Sequence, residues 1–236
     1  MRSNFKTEDS KLGSLRATVL DAALPHVAFD GWSDATLAQA VADTGVDPAQ
    51  ARLAFPRGGI DLAIAFHRAN DLALQDRAAG EDMTALRYSR KVARLIELRL
   101  ELIAPHREAV RKAVSLFALP THAVDGARLV WETADAIWTA LGDTSDDVNW
   151  YTKRITLSAV WSSVLLYWLG DESAGMERTR TFIERRIADV MQVEKAKAAV
   201  RETPLGKVLT QGAESVIKSI RRPVQPPHDL PGRWKT

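Results

Sequence analysis

Five histidines and a few neighbouring acidic residues are the side chains best suited to catalysis or metal binding in this chain. No histidine is separated from another histidine, or from a glutamate, by the spacing that places two metal ligands on one helix face. Asp146 and Asp147 lie in a polar connection, where they suit helix capping better than acid–base catalysis. The absence of Cys excludes disulfides, thiolate nucleophiles and zinc–thiolate sites. The histidines are His26, His67, His106, His122 and His228.

Catalytic sequence motifs are also absent. The chain contains no G-x-S-x-G nucleophile elbow, no P-loop and no G-x-G-x-x-G loop. We therefore expect a protein that is not an enzyme and that binds no metal and no cofactor. An enzyme of unrecognised type stays open as a weaker alternative, for which the sequence offers neither a nucleophile nor a metal site.

Composition and charge limit the class of protein. The 236 residues are 46% hydrophobic and 26% charged, which is ordinary for a soluble globular protein. A formal net charge of +2 gives no global basic field of the kind that attracts nucleic acid. The start, MRSNFKTEDSKLGS, lacks the apolar segment of a signal peptide, and Glu8 and Asp9 argue against a transit peptide. These features predict a bacterial-type cytoplasm, or a mature form of the protein.

The segment 147–169, DVNWYTKRITLSAVWSSVLLYWL, is predicted to be the buried central helix of an all-helical domain. Asp147 suits its N-cap, and from Ile155 onward the helix is apolar on nearly all sides. The uncharged run that begins at Ile155 is shorter than the roughly 20 residues that a membrane span needs. A protein core is therefore the expected surrounding of this helix.

The amino end of this central helix carries aromatic and charged side chains together. Trp150 and Tyr151 stand in its first turn, followed by Lys153 and Arg154. One interpretation is a solvated cap whose aromatic rings fold back onto the core. The other is an exposed patch on which a partner docks, and the chemistry of the residues alone leaves both open.

Two successive helices are unusually rich in tryptophan. Small residues lie between the large rings, namely Ala134, Ser158 and Ser162. The rings are interpreted either as a dense core or as the wall of an apolar ligand cavity between helices. The candidate lipid-binding residues are Phe117, Trp131, Trp138, Trp161, Leu165 and Trp168.

The amino-terminal region has the pattern of a helix-turn-helix. Gly45 separates the second and third of several short predicted helices. The order AAL, G-W, LAQAV, GV and AF-P resembles the amino-terminal domain of TetR-type repressors, and the likeness is best over residues 30–62. The third helix, DPAQARLAF, offers only Gln50 and Arg52 for base edges and phosphates. We therefore predict a helix-turn-helix fold that has lost its DNA-binding role.

The carboxyl-terminal region reads as a linker, an amphipathic helix and a tail. Residues 192–204 are charged and Ala-rich, and the Pro-rich segment 223–236 is predicted to be disordered. Between them, 205–222 is interpreted either as a helix that lies flat on an anionic membrane or as an ordinary surface helix. The candidate membrane-binding residues are Leu205, Val208, Leu209, Val216, Ile217, Ile220, Lys218, Arg221 and Arg222.

Three motifs together resemble a known family. DVNWYTKR is close to D-x-N-W-Y-T-[KR]-R, residues 23–32 match A-L-x-[HF]-V followed by G-W, and residues 97–105 match E-x-R-L-x-x-[IL]-x-P. The chain resembles, over residues 14–222, the ubiquinone-biosynthesis accessory family that is numbered nine among the yeast coenzyme Q proteins. The W-Y-T motif is the specific part of the likeness.

The resemblance implies a fold and a set of partners. It implies a TetR-like fold without DNA binding, homodimers, and a cavity for isoprenoid quinone intermediates. It implies that the di-iron hydroxylase of demethoxyubiquinone docks on Asp147, Trp150, Tyr151 and Arg154. It also implies that the helix 205–222 lies on the bilayer, so we expect a cytoplasmic protein associated peripherally with the inner membrane of a bacterium.

The expected function follows from these implied properties. The chain would bind isoprenoid quinone intermediates and present them to the hydroxylase at the membrane without making or breaking a bond. The alternative is a TetR-type, ligand-responsive transcriptional regulator that binds DNA through residues 34–57. The weakly basic third helix and the basic terminal helix favour the first function.

The predicted fold is all-α, a TetR-like helical bundle with an amino-terminal helix-turn-helix and a carboxyl-terminal amphipathic helix. The predicted segments are a disordered tail over 1–12, a helix-turn-helix subdomain over 13–78, a lipid-binding bundle over 79–191, a linker over 192–204, an amphipathic membrane helix over 205–222 and a disordered tail over 223–236.

Overall fold

All regular structure in the described part of the chain is helical, as the sequence predicts. The computed structural model describes the backbone of residues 2–202 and the side chains of residues 11–193. Within those limits the α-helices are α1 (Arg2–Asp30), α2 (Asp34–Thr44), α3 (Pro48–Ala54), α4 (Gly59–Ala79), α5 (Tyr88–Ile103), α6 (Arg107–Phe117), α7 (Ala123–Ala140), α8 (Val148–Leu169) and α9 (Glu177–Glu202).

Local capping signals define α2 and α3. The Ser33 hydroxyl accepts a hydrogen bond from the Thr36 amide at 3.2 Å, and Gly45 ends α2 in the left-handed conformation with φ of 65°. The Asp47 carboxylate accepts from the Ala49 amide at 3.1 Å and so caps α3. The predicted positions of both helices are confirmed.

Trp32 joins the amino-terminal helices to the rest of the bundle. Its indole N–H donates to the Ala109 carbonyl at 2.9 Å, and its ring centroid lies 5.3 Å from that of Phe66. The side chain is buried, so the loop between α1 and α2 is fixed against α4 and α6. One continuous apolar core therefore extends from α1 to α9.

The central helix α8 packs against α7 and α9. Asp147 is its N-cap, and the Asp147 carboxylate accepts from the Asn149 amide at 2.8 Å. Leu157, Trp161 and Val164 are buried along it, as expected for a helix that is apolar on nearly all sides. Across the described helices, none combines the length and the apolar character that crossing a membrane requires.

Two helices extend further than the sequence analysis predicts. Helix α1 begins at Arg2, so it includes residues 2–12 of the predicted disordered tail. Neither Gly nor Pro interrupts residues 2–12, and this polar run therefore contains no strong helix breaker. Helix α9 continues to Glu202 through the predicted linker, because Ala, Glu, Lys and Arg are good helix formers.

The division of the chain into functional segments stays a prediction. The segments 205–222 and 223–236, with every candidate membrane-binding residue, lie outside the residues that the structure describes.

Candidate functional site

A largely apolar cavity lies between α4, α5, α6, α7 and α8. Its volume is about 250 Å³. Phe117, Trp161 and Leu165, which the sequence assigns to lipid binding, all line it. Leu166 also lines the cavity and is 60% exposed, so the cavity reaches the protein surface beside this residue.

The other candidate lipid-binding residues lie elsewhere. Trp138 packs against Tyr88, with ring centroids 6.1 Å apart, and the Trp168 ring lies 5.0 Å from the guanidinium carbon of Arg107. Trp168 follows Trp161 by two helical turns, which is a rise of about 10 Å. Residues seven positions apart share a helix face but lie at different heights along the helix axis. Neither Trp138 nor Trp168 lines the cavity.

A surface groove between α7 and α8 adjoins the cavity. Gly126, Val130 and Ser162 line both the cavity and the groove. Trp131, the sixth candidate, and the exposed Ile155 line the groove only. The cavity and the groove are therefore adjacent spaces that share part of one wall.

Gly126 allows α6 and α7 to approach closely at the junction of cavity and groove. A Cβ atom at this position would lie 2.8 Å from the Cβ of Phe117 and 3.2 Å from its carbonyl oxygen. Any larger residue would push Phe117 away, so glycine here sets the shape of the cavity wall.

At the far end of the groove lies an aromatic cluster formed by Trp131, Trp150 and Tyr151. The ring centroid of Trp131 is 5.6 Å from that of Trp150 and 6.4 Å from that of Tyr151. Trp150 and Tyr151 meet edge to face at 4.8 Å. All three side chains are half-buried. Docking of a partner on this end of α8 stays a prediction.

Arg154 lies beneath the aromatic cluster and not on its surface. Its side chain is 3% exposed, and its guanidinium donates to the carboxylates of Asp135 and Asp143. Burial tends to raise the pKa of Asp143, but hydrogen bonds from Lys153, Ser145 and Arg154 lower it to about 2. The predicted direct contact between Arg154 and a partner is therefore corrected, because its charge is satisfied inside the protein.

A buried polar network forms one end of the cavity. The Arg99 guanidinium donates through Nε to Asp71 at 2.7 Å, and the Thr133 hydroxyl donates to the same carboxylate at 3.0 Å. His67 Nε2 lies 3.0 Å from the Leu129 carbonyl and 2.7 Å from the Thr133 hydroxyl. Sequence reasoning missed this network, although the spacing of His67 and Asp71 by four positions on one helix was a visible signal.

Burial controls the charges in this network. Burial raises the pKa of Asp71, and the nearby cation of Arg99 opposes that effect. Burial, together with the Arg99 charge, lowers the pKa of His67 to about 3, so the imidazole is neutral at neutral pH. Its proton is on Nε2, since the Leu129 carbonyl can only accept. In the described part of the chain, no group of three or more His, Asp or Glu side chains is arranged to hold a metal ion.

Comparison with family models matches residues 123–194, which include α7 and α8, to the COQ9 family. The chain is 30% identical to ubiquinone biosynthesis protein COQ9-A of Xenopus laevis over 214 residues, covering 88% of this chain and 67% of that protein. It is 29% identical to the human COQ9 protein over 88% of this chain and 66% of that one. The Drosophila melanogaster COQ9 protein is 29% identical over 79% of this chain, which spans only 58% of that relative.

A solved structure supports the same fold. The TetR transcriptional regulator from Nitrosomonas europaea superposes with a TM-score of 0.61 at 21% identity, covering 74% of this chain and 97% of that one. The likeness confirms the predicted TetR-like helical fold and shows nothing further.

The names of the relatives correct the expected location. The proteins of Drosophila melanogaster, Homo sapiens and Dictyostelium discoideum are named as mitochondrial proteins, and all three organisms are eukaryotes. The prediction of a protein at the inner membrane of a bacterium was therefore wrong.

Proposed function

This chain belongs to the COQ9 family, and we propose that it acts in ubiquinone biosynthesis as a non-catalytic lipid-binding protein. In this proposal it binds an isoprenoid quinone intermediate and presents it to the hydroxylase of demethoxyubiquinone. The names of the relatives support the pathway, and the geometry of α4 to α8 supports the manner of action.

One observation carries the proposal, namely that the cavity, the groove and the aromatic cluster adjoin one another and share residues. Gly126, Val130 and Ser162 belong to both the cavity and the groove. Trp131 belongs to both the groove and the aromatic cluster. In this proposal the lipid extends from the protein interior, along the groove, to the surface on which the partner docks.

The size of the cavity fits part of a lipid. Ligand pockets commonly measure about 300–1,000 Å³, so a cavity of about 250 Å³ suits a ring with a short length of chain. The rest of an isoprenoid tail needs the groove, whose volume is about 360 Å³. Exposing a methylene of the tail to water costs about 0.8 kcal/mol, and burial in the cavity and the groove avoids this cost while the tail is outside the membrane.

The aromatic cluster supports the proposal of a docked partner. Half-buried tryptophan and tyrosine side chains are the residues that most often dominate the binding energy of protein interfaces. Trp150 and Tyr151 are held by Trp131 and Arg154, so they present a preformed surface that loses little side-chain entropy on binding. Asp147 stands beside them as the N-cap of α8.

A DNA-binding regulator is the second candidate, favoured by the likeness to a TetR regulator. Three features oppose it. The Asp34 carboxylate accepts from the Gly59 amide at 3.1 Å. It therefore occupies the amino end of α4, where a DNA phosphate could otherwise bind. A basic side chain at Gly58 would have its Cβ 1.8 Å from that carboxylate, so this position cannot supply a cation for phosphate. Arg57 is paired with Asp61 and Asp125.

Native mass spectrometry, followed by lipid extraction, tests the proposal. Protein purified under mild conditions from its own organism should retain an isoprenoid or quinone-type lipid. The control is the same protein after extraction with organic solvent, which should rebind an added prenylated quinone. Empty protein that fails to rebind the quinone, and that selects a DNA sequence from a random pool, would replace this proposal with the regulator.

A further inference from the structure

Two buried hydrogen-bond donors in the cavity wall have no partner among the residues that the structure describes. They are Nη1 of Arg99 and Nε1 of Trp161, and each residue is 1% exposed. Both residues line the cavity. Buried donors are nearly always paired with protein, water or a ligand, so these two need an acceptor that the folded chain does not supply.

Arg99 and Trp161 are neighbours in the cavity wall. The guanidinium carbon of Arg99 is 5.7 Å from the ring centroid of Trp161. The other two guanidinium nitrogens of Arg99 each have a partner, since Nε donates to Asp71 at 2.7 Å and Nη2 donates to the His67 carbonyl at 3.2 Å. Nη1 is therefore the guanidinium nitrogen left for a ligand.

We infer that this end of the cavity binds a neutral oxygen acceptor of the lipid, such as a ring carbonyl, through Arg99 and Trp161. The inference rests on the proposed function and adds the chemistry of the group that the cavity selects. A saturated or isoprenoid hydrocarbon would leave both donors unpaired and would therefore bind less well.

The charges around the two donors favour a neutral acceptor over an anion. The Arg99 cation is already neutralised by the Asp71 carboxylate. The neighbouring His67 is neutral, because burial lowers its pKa to about 3. A fatty-acid carboxylate or a phosphate would therefore bring a buried charge without a counter-ion, which is unfavourable.

Three probes with one farnesyl chain test the inference on the full, delipidated protein. They are farnesyl-1,4-benzoquinone, farnesylbenzene and the carboxylate 4-farnesylbenzoate. Their dissociation constants are measured by titration calorimetry. The quinone should bind about tenfold more tightly than the hydrocarbon, as expected for two donors that gain an acceptor. The benzoate should bind more weakly than the quinone.

A pair of tryptophan variants separates the donor from the aromatic ring. Trp161→Phe removes Nε1 and keeps an aromatic ring in the wall, so the preference for the quinone over farnesylbenzene should fall to about threefold. Trp138→Phe is the matched control, because Trp138 Nε1 is also buried without a partner in the described part of the chain but lies outside the cavity. This control should keep the full preference.

The outcomes distinguish the inference from the proposed function. Equal affinity of the wild-type protein for the quinone and for farnesylbenzene would overturn the inference and leave lipid binding intact. Tighter binding of the benzoate would overturn the choice of a neutral acceptor. Failure of all three probes to bind would remove the lipid-binding function itself. Because these comparisons use the wild-type protein, they hold even where a variant fails to fold.

Discussion

The guanidinium carbon of Arg154 lies 4.1 Å from the ring centroid of Trp150, one helical turn before it on α8. Arg154 Nη1 also donates to the Trp150 carbonyl at 3.1 Å. The same guanidinium pairs with Asp143, which lies in the connection before α8. Arg154 therefore fixes both the ring of Trp150 and the loop that precedes it, so the predicted docking surface depends on a residue that is itself buried.

Replacing Arg154 by alanine should lower the free energy of unfolding by about 3 kcal/mol. The change removes one partner of a buried ion pair and the cation beneath the Trp150 ring. Urea denaturation followed by circular dichroism measures the effect. The control is Arg52→Ala, since Arg52 is exposed on α3 and its loss should change stability by less than about 0.5 kcal/mol. Equal effects of the two substitutions would contradict this role of Arg154.

Replacing Trp150 or Tyr151 by alanine should weaken binding of the hydroxylase while the protein stays folded. Truncation of an aromatic residue at the centre of an interface commonly costs about 2 kcal/mol or more, which is roughly a thirtyfold loss of affinity. Surface plasmon resonance with the purified hydroxylase measures it. Phe29→Ala is the matched control, because Phe29 is an exposed aromatic residue, at 85% exposure, on α1. Unchanged affinity of both cluster variants would exclude the aromatic cluster as the docking surface.

The parts of the fold that depend on residues close together in the sequence were predictable. The Asp147 cap of α8 and the Gly45 end of α2 are local signals, in which a side chain or a left-handed residue satisfies the helix terminus within a few positions. The apolar character of α8 likewise places Trp161 inside the protein without knowledge of its neighbours.

The composition of the cavity was only partly predictable, because it depends on contacts between distant helices. Arg99 and Asp71 are 28 positions apart, on α5 and α4, and nothing in the sequence indicates that they pair. The spacing of Trp161 and Trp168 predicts that both lie on one face of α8, but it does not predict which of them lines the cavity. Hence three of the six candidate residues, Phe117, Trp161 and Leu165, line the cavity, whereas its polar end was not predicted.

Narrowing the junction between the cavity and the groove should exclude long lipids. Ser162→Leu adds a branched side chain at a position that lines both spaces, so binding of a prenylated quinone should weaken more as its tail lengthens. Native mass spectrometry with quinones that carry two, four or eight isoprene units measures the effect. Ser163→Leu is the matched control, since Ser163 lines neither the cavity nor the groove and its hydroxyl donates to the Val160 carbonyl. A loss of affinity that is independent of tail length would contradict the proposed path along the groove.

His67 should make the stability of the protein fall as the pH is lowered from about 6.5 to about 3. The unfolded chain takes up a proton at the ordinary histidine pKa near 6.5, whereas the folded protein takes it up only near its lowered pKa of about 3. Between these values the unfolded state binds more protons, so the free energy of unfolding decreases by up to about 1.4 kcal/mol per pH unit. Above pH 6.5 neither state gains the proton, and His67 contributes no slope.

The variant His67→Gln isolates this contribution, because its side-chain amide can still donate to the Leu129 carbonyl but does not titrate. Asp71 and Arg99, which face His67, stay in place in both proteins, so their own titration cancels in the difference between the two curves. Urea denaturation at intervals from pH 7.5 to 4 should give a steeper fall for the wild type. His122→Gln, a histidine outside the cavity, should follow the wild-type curve. Parallel curves for the wild type and His67→Gln would show that His67 is protonated in the folded protein at the same pH as in the unfolded chain.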